Sequence, residues 1–130
     1  MDHSTRILIA DDDTSIRRLL RRVLEGHPGW QVCGEAANGR DAVEKTQQLT
    51  PDLVVLDLAM PQMNGLQAGR EIFKSSPLPM LLLTVQEVSP ELAREARSAG
   101  FQGAISKSRG VEVVNGIETL LRDQCFFRST

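Results

Sequence analysis

The sequence predicts an α/β domain in which a doubly wound parallel sheet of five strands is covered by five helices. The first observation behind this prediction is a set of short, wholly apolar runs. Runs such as Ile7–Ala10 and Leu53–Leu56 indicate strands that are buried on both faces, as in parallel sheets. The second observation is that strand-like and helix-like segments alternate five times through short connections. Right-handed crossovers between parallel strands then give this architecture.

Five segments carry the strand pattern, and one of them differs from the rest. Trp30–Ala36 alternates apolar and polar residues, which indicates an edge strand. The run that ends at Asp57 is apolar throughout, so we expect it at the centre of the sheet. In chain order the predicted strands are Arg6–Ala10, Trp30–Ala36, Leu53–Asp57, Met80–Thr84 and Gly103–Lys107.

The first helix is predicted from apolar residues at helical spacing. Asp13 or Thr14 can cap its start, and the Gly-His-Pro-Gly segment at 26–29 ends it. The predicted buried stripe consists of Ile16, Leu19, Leu20, Val23 and Leu24. The opposite face is expected to be either a solvated surface or a docking patch for an acidic partner, and it carries Arg17, Arg18, Arg21 and Arg22.

Four further helices follow at about 40–49, 65–74, 90–99 and 111–122. The fourth helix has a strong start, because Ser89 can cap it, Pro90 suits its first position and Glu91 faces the positive end of its dipole. This helix is short of large apolar residues, so we expect it to be the most mobile. The residues expected to face inward are Ala42, Val43, Thr46, Leu49, Leu66, Ile72, Phe73, Leu92, Ala93, Ala96, Ala99, Val113, Val114, Ile117, Leu120 and Leu121.

Size and composition restrict the class of protein. The 130 residues suit one domain, with a core at about 6–122 and a tail or truncated linker at 123–130. A net charge of −2 argues against a domain that holds nucleic acid by bulk electrostatics, and nothing resembles a helix-turn-helix. No apolar run approaches the ~18 residues of a membrane helix and no signal-peptide pattern is present, so we expect a cytoplasmic protein. Cys33 and Cys125 are then expected to be free thiols that act as small packing residues.

Polar side chains follow four of the predicted strands where each strand ends. They are Asp11 and Asp12 after the first strand, Asp57 at the end of the third, Thr84 at the end of the fourth and Lys107 at the end of the fifth. Parallel strands end at one edge of a sheet, which is where open α/β sheets place their chemistry. Asp13 is more simply explained as a helix cap. We therefore take Asp57 as the centre of a functional site.

Crowded carboxylates repel one another, so the cluster needs a cation. Mg²⁺ binds a few carboxylates, keeps several waters and accepts phosphate oxygens. Asp57 could then act as a nucleophile on phosphorus, a role that aspartate is known to take. A metal and Lys107 would offset the charge that develops on the phosphoryl oxygens, and Thr84 could donate a hydrogen bond to the attached group.

These residues carry a resemblance to a known family. The matching segments are Ile7–Asp12, Asp57–Gly65, Leu81–Thr84 and Ala99–Lys107. Over about residues 6–122 the sequence resembles the receiver domain of two-component response regulators. The resemblance implies a flavodoxin-like fold with strand order 2-1-3-4-5, the order for which a receiver protein is itself the standard example.

The resemblance also implies roles. Asp57 would be the phosphoacceptor for a sensor histidine kinase, and Thr84 and Lys107 would contact the phosphoryl group. Asp11, Asp12, Asp57 and the Ala59 carbonyl would hold Mg²⁺. Output would pass through a partner, a homodimer face on the fourth and fifth helices, or an effector domain if the chain is truncated. Such a domain is a signalling module and not an enzyme acting on other substrates.

Three positions depart from the family pattern. Ala104 stands where the family usually has Tyr or Phe, so the aromatic rotamer switch is missing. Ser108 replaces a proline that often follows the lysine, and Val85 is larger than the usual residue and is expected to narrow access to Asp57. Ala104 keeps a second hypothesis open, a protein-interaction module that keeps the fold but signals without phosphorylation. Dependence of Mg²⁺ binding on Asp12 and Asp57 would favour the phosphorylated switch.

Overall fold

The computed structural model describes residues 4–109 and 112–127 as one parallel sheet with helices on both faces. Its strands run in the order β2-β1-β3-β4-β5-β6. The first five have the predicted order, which confirms the predicted fold class. The strands are β1 (Thr5–Ala10), β2 (Trp30–Ala36), β3 (Leu53–Asp57), β4 (Met80–Thr84), β5 (Gly103–Ser106) and β6 (Phe126–Phe127).

The five predicted helices are all found in the described part of the chain, together with one turn of 3₁₀ helix at Lys107–Arg109. Asp13 caps the first helix, accepting hydrogen bonds from the backbone of Ser15 and Ile16, and Ser89 caps the fourth as predicted. The helices are α1 (Thr14–Glu25), α2 (Gly39–Leu49), α3 (Gly65–Ser75), α4 (Pro90–Ser98) and α5 (Glu112–Leu121).

The sheet separates the core into two apolar layers. Side chains of β1 alternate between them, so Leu8 faces the layer under α2, α3 and α4, while Ile7 and Ile9 face the layer under α1 and α5. All residues of β3 and β4 are buried, as expected for strands covered on both faces. None of the helices in the described ranges is long and apolar enough to cross a membrane.

Several predicted inward positions are wrong. Leu19 is 53% exposed and Val23 38%, because α1 rests on the sheet through the single i, i+4 row of Ile16, Leu20 and Leu24. Phe73 is 40% exposed, because its ring packs over Gly100, just after the end of α4, instead of entering the core.

The expectations for the arginines of α1 and for one of the two cysteines also need correction. Arg17 and Arg21 are not simply solvated, because both form ion pairs with Glu35 of β2. Cys33 packs against the core, whereas Cys125 is exposed and does not act as a packing residue, and both are free thiols as predicted.

Residues 123–130 were expected to be a tail or a truncated linker, but Phe126 and Phe127 form a sixth strand of the sheet. Asp123 adopts a left-handed conformation with φ of 60°, which ends the helix and reverses the chain. Phe126 then donates its backbone N–H to the carbonyl of Gln102 at 2.8 Å, and Phe126–Phe127 pair in parallel with Gly103 and Ala104. Residues 128–130 lie outside the described ranges.

The two aromatic residues of β6 pack on opposite faces of the sheet. Phe126 fits against Gly116 of α5, where an added Cβ would lie 3.2 Å from its ring. Phe127 packs in the other layer beside Ala104, and the guanidinium carbon of Arg97 lies 4.3 Å from its ring centroid. The segment is therefore a sixth strand of the domain, and it places an aromatic ring next to Ala104.

Truncating Phe126 tests this conclusion. We expect Phe126→Ala to lower the free energy of unfolding by about 2 kcal/mol, less than the loss at a fully buried phenylalanine because the ring is half-buried. Urea denaturation measures the change. Leu19→Ala, at a side chain that is 53% exposed, should change stability by less than about 0.5 kcal/mol. Equal, small effects of both substitutions would mean that β6 is not part of the folded unit.

Candidate functional site

The polar residues at the strand ends meet at the carboxyl edge of the sheet. Asp12, Asp57, Thr84 and Lys107 all line one cavity of about 400 Å³. Asp11 lies beside it, completely buried, and joins the group through Lys107. The structure thus brings together the side chains that the sequence singled out from four separate segments.

Three carboxylates form the acidic part of this site. Asp11, Asp12 and Asp57 each present one oxygen, and these oxygens all lie within 4.8 Å of one another. Asp11 is fully buried and Asp57 is only 3% exposed, while Asp12 is exposed. Carboxylate oxygens in this number and spacing are what a hard divalent cation such as Mg²⁺ binds. The donor set therefore fits that ion.

Lys107 bridges two of these carboxylates. Its Nζ lies 2.7 Å from Oδ2 of Asp11 and 3.2 Å from Oδ1 of Asp57. Burial disfavours the ammonium, but the hydrogen bonds to Asp11 and Asp57 outweigh burial and raise the pKa of Lys107. Lys107 therefore stays charged at neutral pH.

Asp57 responds differently to the same surroundings. Burial raises the pKa of its carboxyl, and the nearby charge of Asp11 raises it further, while Lys107 acts in the opposite direction. One ammonium is thus too little compensation for a buried carboxylate with acidic neighbours. Added positive charge in the cavity would relieve this repulsion.

The turn after β1 is fixed by its own side chains. Asp11 accepts a hydrogen bond at Oδ1 from the backbone N–H of Asp13 at 2.9 Å. Asp13 in turn caps α1 with its carboxylate, at 2.8 Å from the backbone nitrogen of Ser15. These contacts place Asp11 on the buried side of the turn and Asp12 on the open side.

The loop after β3 returns closely over the end of that strand. Leu58 donates its N–H to Leu83 and accepts one from Gly65, both at 2.8 Å. A Cβ on Gly65 would lie 2.3 Å from the Asp57 carbonyl, so only glycine allows this approach. Asn64 and Gln67 form a reciprocal capping box at the start of α3. The loop thereby brings Ala59 to the rim of the cavity.

The residues after β4 form the other wall. The hydroxyl oxygen of Thr84 accepts a hydrogen bond from the backbone N–H of Gln86 at 3.2 Å, which ties Thr84 to the loop that leads into α4. Val85 is 78% exposed and lines the cavity, where we expected it to narrow access to Asp57. Asp57 nevertheless faces a cavity that opens to solvent.

Sequence reasoning missed one residue next to this site. Arg17 donates from Nη1 to the backbone carbonyl of Asp11 at 2.7 Å, although it was assigned only to the polar face of α1. The spacing offered a signal, because a residue in the first turn of a helix can reach back to the turn before it. Its partner Glu35 on β2 was not identified either.

Comparison with known proteins gives the same class as the geometry. Residues 7–117 match the response regulator receiver domain family. Chemotaxis protein CheY of Thermotoga maritima is 39% identical over 116 residues, which covers 86% of this chain and 96% of that protein. The chain therefore belongs to the response regulator receiver domain family, and the fold resemblance stated from the sequence is confirmed.

Longer relatives match as well. A protein-glutamate methylesterase/protein-glutamine glutaminase of Alkalilimnicola ehrlichii is 44% identical over 99 residues, 76% of this chain but only 25% of that protein. The chain thus spans about a quarter of this relative's length. A LuxR-family two-component response regulator from an Aurantimonas species superposes with a TM-score of 0.90 at 33% identity, covering 95% of this chain and 89% of that one.

The raised pKa of Asp57 predicts how stability depends on pH. Without divalent cations, Asp57→Asn should raise the melting temperature at pH 7, because it removes a carboxylate whose ionisation burial disfavours. The folded state holds this proton more tightly than the unfolded state. The difference in stability between Asp57→Asn and the wild type should therefore be absent below pH 3.8, the ordinary pKa of the carboxyl. It should increase as the pH rises from there to the raised pKa of the folded state, and it should stay constant at higher pH.

Thermal unfolding of both proteins between pH 3.5 and 8 measures this difference, and Asp13→Asn serves as the matched control. Asn also caps helices well, so the difference in stability between Asp13→Asn and the wild type should not change with pH. A less stable Asp57→Asn protein at neutral pH would show that the Lys107 ion pair, and not burial, dominates at this position.

Proposed function

We propose that this chain is a phosphoacceptor receiver domain that takes a phosphoryl group from a sensor histidine kinase onto Asp57 in a Mg²⁺-dependent reaction. The observation that carries the proposal is the position of Asp57, which lies at the floor of an open cavity, in contact with Lys107 and within 4.8 Å of two further carboxylates through their nearest oxygens. Family membership supports the same conclusion.

In this reaction an oxygen of Asp57 attacks the phosphorus of a phosphohistidine. The new bond joins that oxygen to phosphorus, the phosphorus–nitrogen bond breaks, and its electron pair returns to the imidazole of the kinase. The carboxylate must be ionised to attack, and it lines a cavity that opens to solvent. Asp57 would thus be the nucleophile.

The metal would be held by Asp11, Asp12, Asp57 and the backbone carbonyl of Ala59. When bound, Mg²⁺ supplies positive charge to the carboxylates and to the phosphoryl oxygens. Asp11 and Asp12 extend from a turn fixed by hydrogen bonds, so their carboxylates are held in place before an ion arrives. Without a bound cation, the negative charges of Asp11 and Asp12 would repel the incoming phosphate.

Lys107 and Thr84 would contact the transferred group. The ammonium of Lys107 already faces Asp57 at 3.2 Å and remains protonated, so it can shift from the carboxylate to a phosphoryl oxygen. The Thr84 hydroxyl lines the same cavity and can donate while its oxygen accepts from Gln86. These two side chains would hold the product in one orientation.

Phosphorylation would act as a switch through the β4–α4 connection. Thr84 is joined by its loop to α4, whose buried apolar face is narrow, with Leu92 and Ala96 at its centre. A phosphoryl group that draws Thr84 would shift the equilibrium between two positions of this loop and helix. The greater mobility expected for α4 remains a prediction.

The output would pass through a partner protein, a homodimer face on α4 and α5, or an effector domain in a longer chain. Such a protein works in the cytoplasm, where its kinase donates the phosphoryl group. The chain would catalyse only its own phosphorylation and dephosphorylation. Here β6 lies beside β5 between the two helices, so a dimer face on α4 and α5 would include its aromatic residues.

Labelling with a small phosphodonor tests the proposal. Intact-protein mass spectrometry after incubation with acetyl phosphate and Mg²⁺ should show one added phosphoryl group on the wild-type chain and none on Asp57→Asn. Asp13→Asn is the matched control, because Asp13 lines the same cavity but caps α1, and its label should persist. A labelled Asp57→Asn protein would refute the assignment of the phosphoacceptor.

A further inference from the structure

Arg17 contacts the turn that carries two of the three carboxylates. Its side chain is only 16% exposed, and the guanidinium makes three different hydrogen bonds. Nη1 donates to the carbonyl of Asp11 at 2.7 Å, Nε donates to Oε1 of Glu35 at 3.0 Å, and Nη2 donates to the hydroxyl of Thr14 at 3.3 Å. The planar guanidinium group of Arg17 thus links β2, the turn after β1 and the start of α1.

The backbone of Asp11 is held on both sides as a result. Its N–H donates to the carbonyl of Ala36 at 3.0 Å, and its carbonyl accepts from Arg17. Ala36 and Glu35 are neighbours at the end of β2, so the strand that fixes the N–H also orients the arginine through Glu35.

Glu35 also pairs with the positive charge of Arg17. The hydrogen bond from Arg21 is the main reason why the pKa of Glu35 is lowered; burial acts against it, and the hydrogen bond from Arg17 adds to the lowering. Glu35 is therefore ionised at neutral pH and pairs with both guanidinium groups. Arg17 thus holds the turn through a fixed hydrogen bond while its own charge is paired with Glu35.

Arg21 provides a natural comparison. It forms an ion pair with the same Glu35 at 2.7 Å and a second one with Glu25 at 3.2 Å, but it is 40% exposed. Among the described residues its hydrogen-bond partners are these two glutamates, and neither belongs to the turn. The two arginines therefore differ in the contact to Asp11.

We propose that Arg17 is a positioning residue for the divalent cation, which it serves by holding the Asp11 carbonyl so that the turn presents the carboxylates of Asp11 and Asp12 at the spacing the ion requires. The inference rests on the proposed function, because it assumes that the acidic cluster binds Mg²⁺. Outer partners that fix metal ligands commonly change metal affinity by about 10–100-fold.

The sign of the effect separates positioning from charge. Removing a cation near an acidic cluster would by electrostatics alone strengthen the binding of Mg²⁺. Releasing the turn would weaken it, because the carboxylates must then be ordered when the ion binds. The two explanations therefore predict opposite changes.

Calorimetric titration with Mg²⁺ alone, in the absence of phosphodonor, tests the proposal on the full chain. Arg17→Met should weaken Mg²⁺ binding roughly 10-fold. Arg21→Met loses an ion pair to the same glutamate and should bind within about twofold of the wild type, a change too small to reflect a lost positioning contact. Arg17→Lys keeps the charge but not the planar guanidinium group, so it should weaken binding to a similar extent as Arg17→Met.

Thermal unfolding without Mg²⁺ identifies any variant that does not fold. If Arg17→Met does not fold, Arg17→Lys decides in its place. Binding by these variants that equals or exceeds that of the wild type would overturn the positioning role, and so would equal weakening in Arg21→Met. A wild-type chain that binds no Mg²⁺ would instead contradict the proposed function, which makes the two failures distinguishable.

Discussion

Electrostatic repulsion at the carboxyl edge of the sheet is the constraint on which the site depends. Three carboxylates approach within 4.8 Å, and one of them, Asp11, is completely buried. A buried carboxylate is costly unless it is paired and hydrogen-bonded. Asp11 forms an ion pair with Lys107 and accepts one hydrogen bond at Oδ1 from the backbone of Asp13. Asp57 is compensated only in part, as its raised pKa indicates. The site is thus built with a deficit of positive charge.

The parallel sheet maintains this arrangement because its strands are fixed by two apolar layers. β3 and β4 are buried along their whole length, so Asp57 and Thr84 cannot move away from each other without disturbing the core. The turn after β1 is fixed by local hydrogen bonds and by Arg17. The binding residues therefore sit on rigid supports, while the loop after β4 is joined to a helix with a narrow apolar face.

The sequence allowed the strands and the strand-end residues to be predicted, because a buried parallel strand must be apolar and its first polar residue marks the sheet edge. It did not reveal which row of α1 faces the sheet, since Leu19 and Leu20 are equally apolar and only packing decides between them. β6 has two residues, too few for any periodicity. The contact from Arg17 to Glu35 spans separate elements, so no local pattern reports it. The position of Phe127 beside Ala104 was also not predicted, because these two residues lie on separate strands.

The central claim is that this charge deficit serves to bind a cation and to let Asp57 accept a phosphoryl group. Peptide mapping by mass spectrometry after incubation with acetyl phosphate, with and without Mg²⁺, tests it most directly. The account predicts a label confined to the peptide that contains Asp57 and lost when Mg²⁺ is chelated. A label on any other residue, or labelling of Asp57 that persists without a divalent cation, would contradict it.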